Sequence, residues 1–198
     1  MTKHWDERFG REEYVYGVTP NLFIQEQAHR LTESSTVAAF AEGEGRNAVY
    51  LASQGHHVTA YDYSVNGLQK TTQLAERENV RIETIQKDLV ADTIPQETFD
   101  AAIMVFGHFM KEDQQLVLEK VISSVKPGGI IMFEVYSEKQ LEYQTGGPKM
   151  KDMLYDPHDI LTWTKDYKVL HFFYGEQHRE EGLFHTGLGH VIQGVITK

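Results

Sequence analysis

"VAAFAEGEGRNAVYLA", Val37 to Ala52, reads as three pieces in succession. The apolar run 37–40 suits a buried strand, and Gly43 and Gly45 make a turn. Ala48, Leu51 and Ala52 then fall at helical spacing until Gly55 stops them. Strand, glycine turn and helix in that order is where α/β chains cradle the phosphates of a nucleotide. Yet two carboxylates, Glu42 and Glu44, sit inside the turn, where a pyrophosphate would be repelled. The ligand suited to this loop is therefore poor in phosphate.

Working outward, the same alternation continues. "HHVTAYD" (56–62) reads as a second strand, with Ser64 as the N-cap of a helix through Glu78. "VRIETIQKD" (80–88) alternates like a strand, and "FDAAIMVF" (99–106) is an apolar run suited to burial on both faces. "KEDQQLVLEKVISSV" (111–125) is an amphipathic helix carrying Leu118, Val121, Ile122 and Val125 on one side. "KPGG" (126–129) is expected to end it, before a fifth strand in "IIMFEVYS" (130–137). Strands alternating with helices imply a parallel sheet with right-handed crossovers. "YKVLHFFYGEQ" (167–177) and "GHVIQGVIT" (189–197) read as two strands joined directly, so an antiparallel pair should close one edge. The expected fold is a doubly wound, Rossmann-like α/β domain over residues 1–198. Its mostly parallel sheet has about seven strands, with helices on both faces and an antiparallel closing strand.

Composition narrows the partners. The 198 residues hold 19 Lys plus Arg against 29 Asp plus Glu, a net charge of −10. That balance argues against nucleic acid or an anionic membrane, where binding relies on neutralising phosphates. There is no cysteine, hence no disulfide framework and no thiolate metal site. "MTKHWDERFG" has no apolar signal core, and no segment reaches the length of a membrane span. A cytoplasmic protein is the expectation.

In doubly wound sheets the ligand lies at the C-terminal ends of the strands. There the sequence places Glu42, Gly43, Glu44 and Gly45 after the first strand, Asp62 after the second, Asp88 after the third and "FGHF" after the fourth. A carboxylate after the second strand can accept both hydroxyls of a ribose, and an Asp after the third can accept from an exocyclic amine. Glycines let backbone amides approach a ligand closely. S-adenosylmethionine has the ribose, the adenine, no phosphate and two cationic groups. The expectation is that its carboxylate sits at the helix N-terminus near Arg46, while the loop acids favour its cationic end. The competing reading is an NAD(P)-binding reductase, because residues 43–48 satisfy G-x-G-x-x-[GA] and Asp62 follows near the expected spacing. The loop carboxylates and the absence of a Tyr-x-x-x-Lys pair count against it.

"AEGEGRNAVYLASQG", "VTAYDYS", "KDL", "FDAAIMVFGHF" and "VKPGGIIMFE", in this order, give the chain its resemblance to class I S-adenosylmethionine-dependent methyltransferases. "WDERFGREEYVYGVTPN" and "YQTGGPK" further resemble the tellurite-resistance and thiopurine-methyltransferase-like branch of small bacterial enzymes. The resemblance implies a cofactor-covering segment and helix over 1–35 and a core over 36–198. It implies Gly43 and Gly45 at the methionine end, Asp62 with Tyr63 at the ribose, Asp88 with Leu89 around the adenine, and Phe106 beside the site. Where the family often has an acid and a further glycine, this chain has Ala39 and Ala41, so Glu42 or Tyr16 is expected to substitute. S-adenosylhomocysteine would be the product.

The reaction so implied is an in-line displacement onto a small acceptor: a thiol, a chalcogen oxyanion or a small metabolite. His108 is the catalytic candidate, orienting the acceptor or taking its proton, against the plainer reading of a loop histidine. Tyr16 is the candidate lid contact. Trp5 and Arg8 either reach the acceptor pocket or anchor the N-terminus. "YQTGGPKMK" is a loop after the fifth strand, and Tyr143 and Lys149 are its candidate acceptor contacts. "HREEGLFHTGLGH" brings His178, His185 and His190 near Glu180 and Glu181, but the spacing matches no zinc or iron pattern, and no metal is expected. A noncatalytic S-adenosylmethionine-binding protein is the alternative from a different class.

Overall fold

The structure is a computed structural model that describes residues 2–182 and 185–198. Seven strands form one sheet in the order β3-β2-β1-β4-β5-β7-β6. These are β1 (Thr36–Phe40), β2 (His57–Asp62), β3 (Ile82–Gln86), β4 (Phe99–Val105), β5 (Val125–Tyr136), β6 (Lys168–Glu181) and β7 (His185–Thr197). The first five are parallel, while β7 runs antiparallel to both β5 and β6. The expected mixed sheet is thus the observed one. Because β1 pairs with both β2 and β4, the strand order reverses beside it, and the ends of β1 and β4 flank the crevice.

The helices are α1 (Thr2–Phe9), α2 (Leu22–Gln27), α3 (Arg46–Ser53), α4 (Val65–Arg77), α5 (Lys111–Ser124) and α6 (Pro157–Trp163). Alternate residues of β1 serve opposite faces, as a pleated strand requires. Ala38 and Phe40 pack with Leu118, Val121 and Ile160 from α5 and α6. Val37 and Ala39 pack with Ile24, Ala48 and Leu51 from α2 and α3. Each aliphatic side chain buried this way contributes roughly 1.5–3 kcal/mol. Ser64 caps α4, its hydroxyl accepting the Gly67 N–H at 3.0 Å.

Two expectations need correction. "KPGG" does not separate helix from strand but lies within β5 as a bulge: Phe99 pairs with Val125, yet Ala101 pairs with Ile130. The Gly128 N–H is satisfied by the Lys198 carbonyl at 2.7 Å, so the turn residues join the sheet edge-on. The N-terminal segment also holds a helix earlier than expected, and Tyr14, Tyr16 and Gly17 lie between α1 and α2. Among the described residues, no helix is long and apolar enough to cross a membrane.

Candidate active site

β1 delivers the chain into the crevice through Ala41 (φ +50°), Gly43 (φ +64°) and Gly45 (φ +90°). A Cβ on Gly45 would lie 2.8 Å from the Cα of Thr71, so only glycine lets the loop lie against α4. The two loop acids turn inward. Oε1 of Glu42 accepts the N–H groups of Asn47 at 2.9 Å and Ala48 at 2.8 Å, which are open donors in the first turn of α3. Burial pushes its carboxyl up to about 7. Glu44 pairs with Lys70 Nζ at 2.8 Å and accepts the Tyr16 N–H at 3.3 Å. These contacts stand where the sequence suggested a ligand's carboxylate and cationic groups. The protein's own carboxylate meets those amides, and its own lysine and backbone satisfy the second acid.

Asp62 ends β2 with Oδ2 accepting the Gly43 N–H and Oδ1 the Ser64 N–H, both at 2.8 Å. Burial raises it to about 6 against the pull of the Ser64, Gly43 and Tyr63 N–H groups. Tyr63 beside it is exposed. Asp88 closes a local turn, its Oδ1 accepting from Val90 at 2.9 Å and Ala91 at 3.3 Å. Leu89 is buried in the core.

A run of rings joins this loop to the ends of β4 and β5. The Phe9 ring lies on Gly43, where an added Cβ would sit 2.9 Å from its Cζ. Phe9 meets Tyr16 (6.2 Å between centroids), Tyr16 meets His185 (4.4 Å), and His185 meets Phe106 (4.6 Å) and Tyr136 (5.4 Å). Phe106 stacks on Tyr136 at 4.6 Å, and His108 stacks near both. Phe106 holds this place at φ +55°, in the left-handed region a bulky residue adopts only under constraint. Trp5 stacks on Phe9 at 5.9 Å, while Arg8 bonds the Tyr16 hydroxyl at 2.7 Å, so both support the cover at this end.

His108 is buried, and its Nδ1 lies 2.9 Å from the Met153 carbonyl. A carbonyl only accepts, so the ring N–H is assigned to Nδ1. Burial lowers the ring to about 4, which keeps it neutral at pH 7 and leaves Nε2 as a bare acceptor. That atom is buried without a partner.

Sequence reasoning missed Arg179 and weighed His185 only as a metal ligand. The Arg179 guanidinium lies 4.9 Å from the Phe106 ring centre and 5.7 Å from that of Tyr136. It pairs with Glu134 at the end of β5 and lies 3.8 Å from Glu181. Arg46 pairs with the other Glu181 oxygen at 2.8 Å, Asn21 donates to both acids, and Gln193 donates to Glu134. Read alone, "HREE" is a solvated hairpin. Only Glu134, far away in sequence, reveals the arginine as buried. Tyr143 donates to Glu176 at 2.6 Å and Lys149 is exposed, and neither contacts the Phe106–His108 group in the described contacts. Among the described residues, no three His, Asp or Glu side chains converge as metal ligands.

Residues 37–129 match the family described as "Methyltransferase domain". The chain is 30% identical over 89 residues to the probable S-adenosyl-L-methionine-dependent methyltransferase TehB of Haemophilus influenzae, covering 44% of this chain and 31% of TehB. It thus spans about a third of that relative's length. The tRNA 5-carboxymethoxyuridine methyltransferase of Escherichia coli is 23% identical over 72% of this chain and 66% of its own. The TehB crystal structure from Haemophilus influenzae superposes with a TM-score of 0.74 at 18% identity, covering 98% of this chain and 67% of that one. A structure described under "Conversion of a Disulfide Bond into a Thioacetal Group during Echinomycin Biosynthesis" gives 0.79 at 16% identity, covering 100% and 91%. Residues 37–129 are thus similar to a methyltransferase domain, and the chain as a whole shares its fold with TehB.

Proposed function

We propose that the protein transfers a methyl group from S-adenosylmethionine to a small acceptor by in-line displacement. One juxtaposition carries this reading: a glycine loop, Asp62 and the bare Nε2 of His108, at the ends of β1, β2 and β4 of a chain similar to a methyltransferase domain.

The residues suit the cofactor's nucleoside half. Asp62, at the end of β2, stands where the ribose would lie, Tyr63 offers an exposed ring, and Asp88 and Leu89 border the adenine side. Gly43 and Gly45 hold the backbone open to close approach, while Phe9, now on Gly43, must yield for the amino-acid end to enter. Tyr16 covers this end, and Glu42 acts through the first turn of α3 that it holds. When bound, the cofactor supplies a methyl on a sulfonium, a leaving group that needs no activation. The protein's work is to align an acceptor, exclude water with the Phe106–Tyr136 rings and receive a proton at His108 Nε2. A small acceptor suits a chain at −10, on which a phosphate backbone would find little to neutralise it. The Escherichia coli enzyme is named for a tRNA acceptor and TehB's name specifies none, so relatives alone do not choose the acceptor.

The test is a thermal-shift titration with S-adenosylmethionine, S-adenosylhomocysteine and NADH in parallel. A ligand at a hundred times its Kd stabilises by about 2.7 kcal/mol, a shift of several degrees. Stabilisation by the two sulfur nucleosides alone is expected, and stabilisation by NADH alone would return the chain to the reductases. Release of S-adenosylhomocysteine in an acceptor screen then separates an enzyme from a noncatalytic binder.

A further inference from the structure

Three buried nitrogen atoms around one pair of rings lack partners: Nε2 of His108, Nδ1 of His185 and Nη1 of Arg179. Their side chains are 9, 6 and 6% exposed. All three approach Phe106, His185 at 4.6 Å, the Arg179 guanidinium at 4.9 Å and His108 at 6.3 Å. A buried polar atom left without a partner is destabilising. His185 Nδ1 faces Glu181 Oε2 at 4.0 Å, which leaves His108 Nε2 and Arg179 Nη1 as the two that call for a ligand.

These two atoms ask for different things. His108 Nε2 can only accept, because the ring proton is on Nδ1 against Met153. It needs a donor hydrogen. Arg179 Nη1 can only donate, so it needs an oxygen. Arg46 and Arg179 are already paired with Glu134 and Glu181, and Arg8 bonds the Tyr16 hydroxyl. An anionic ligand would stand beside two buried carboxylates and turn its lone pairs toward that of His108.

Resting on the methyltransferase reading above, we infer that the acceptor is a small neutral molecule with two groups. One is a protonated nucleophile (hydroxyl, thiol or amine) bonded to Nε2 of His108, and the other is a carbonyl-type oxygen bonded to Nη1 of Arg179. In the transfer, the heteroatom's lone pair forms the bond to the methyl carbon and the carbon–sulfur pair stays on sulfur. The heteroatom's proton passes to Nε2 and then to solvent. Chalcogen oxyanions and free carboxylates fall outside this class. His185, between Tyr16 and Phe106, closes the same space from the N-terminal side. The acceptor therefore enters when the Tyr16 segment lifts.

Two measurements test this on the full chain. Nitrogen-15 NMR of the histidine rings should find His108 neutral at pH 7 with its proton on Nδ1. With S-adenosylhomocysteine present, the ring signal is then titrated with matched probes: salicylamide and mercaptoacetamide against salicylate, mercaptoacetate and selenite. At least one amide should move the His108 signal at a concentration about tenfold lower than its carboxylate does, and Arg179→Gln should erase that preference. A His108 ring protonated on Nε2 overturns the inference. So does tighter binding of a carboxylate or selenite, or silence from both amides. Should Arg179→Gln fail to fold, the wild-type ring state and probe ranking still decide. If S-adenosylhomocysteine itself does not bind, the methyltransferase reading has failed instead.

Discussion

Ala41 occupies the left-handed region at φ +50°, directly before the two glycines that share it. An alanine there carries a steric cost of about 1–2 kcal/mol that glycine avoids, partly offset by glycine's greater freedom in the unfolded chain. Ala41→Gly should therefore stabilise the protein by about 0.5–1 kcal/mol in urea unfolding. A loss of stability would mean the alanine methyl matters more than its backbone. This strain was invisible in "AEGEG", because nothing in the letters says that the turn begins one residue before its glycines. Asp62 and His108 were legible because residue type and position at a strand end suffice to nominate them. The direction of Glu42 was not, since the sequence shows an acid near a helix start but not which donors it will satisfy. Arg179 was hidden for the same reason on a longer scale: its partner Glu134 lies 45 residues away.

At the scale of elements, periodicity and caps carried the reading well wherever a segment's surroundings repeat along its length. Ser64 and the helix after it, the buried β1 and β4, and the antiparallel closing pair all follow from local pattern. α1 and the bulge in β5 do not, because each depends on a distant element: α1 on Ser64 and Asn66 bonding Asp6, the bulge on the Lys198 carbonyl. The contact between the N-terminal segment and the β6–β7 hairpin is of this second kind. Gly182, at φ +66°, packs so closely that an added Cβ would lie 2.5 Å from the Gly17 nitrogen and 2.7 Å from the Tyr16 Cα. Both neighbours are backbone, so nothing flexible can yield. Gly182→Ala should part the hairpin from the segment. The Tyr16 amide, held by Glu44, should then exchange roughly tenfold faster or more, while amides of β1 and β4 keep their protection. Unchanged exchange at Tyr16 would show that the cover is held by Phe9 and Arg8 alone.

Across the whole molecule, groups of opposite chemistry are buried around one crevice, and their linkages to pH run in opposite directions. Glu42 titrates at about 7 in the folded protein against an ordinary 4.5. Between those values the folded chain keeps a proton the unfolded chain has released, so this group's contribution to stability falls as pH rises. His108 titrates at about 4 against an ordinary 6.5. There the unfolded chain holds the extra proton, so its contribution falls as pH drops from 6.5 to 4. Substitution can separate the two. Glu42→Gln preserves a carbonyl for the Asn47 and Ala48 amides while removing the titration. Relative to the wild type, it should gain about 3 kcal/mol as pH climbs from 4.5 to 7. His108→Asn keeps a donor for the Met153 carbonyl and should gain a similar amount, about 3 kcal/mol, as pH falls from 6.5 to 4. Urea unfolding across this range should give two difference curves of opposite slope. If both lie flat, the crevice admits water freely enough to hold these groups near their ordinary values. The neutral His108 on which acceptor binding depends would then be present only in part at mildly acidic pH.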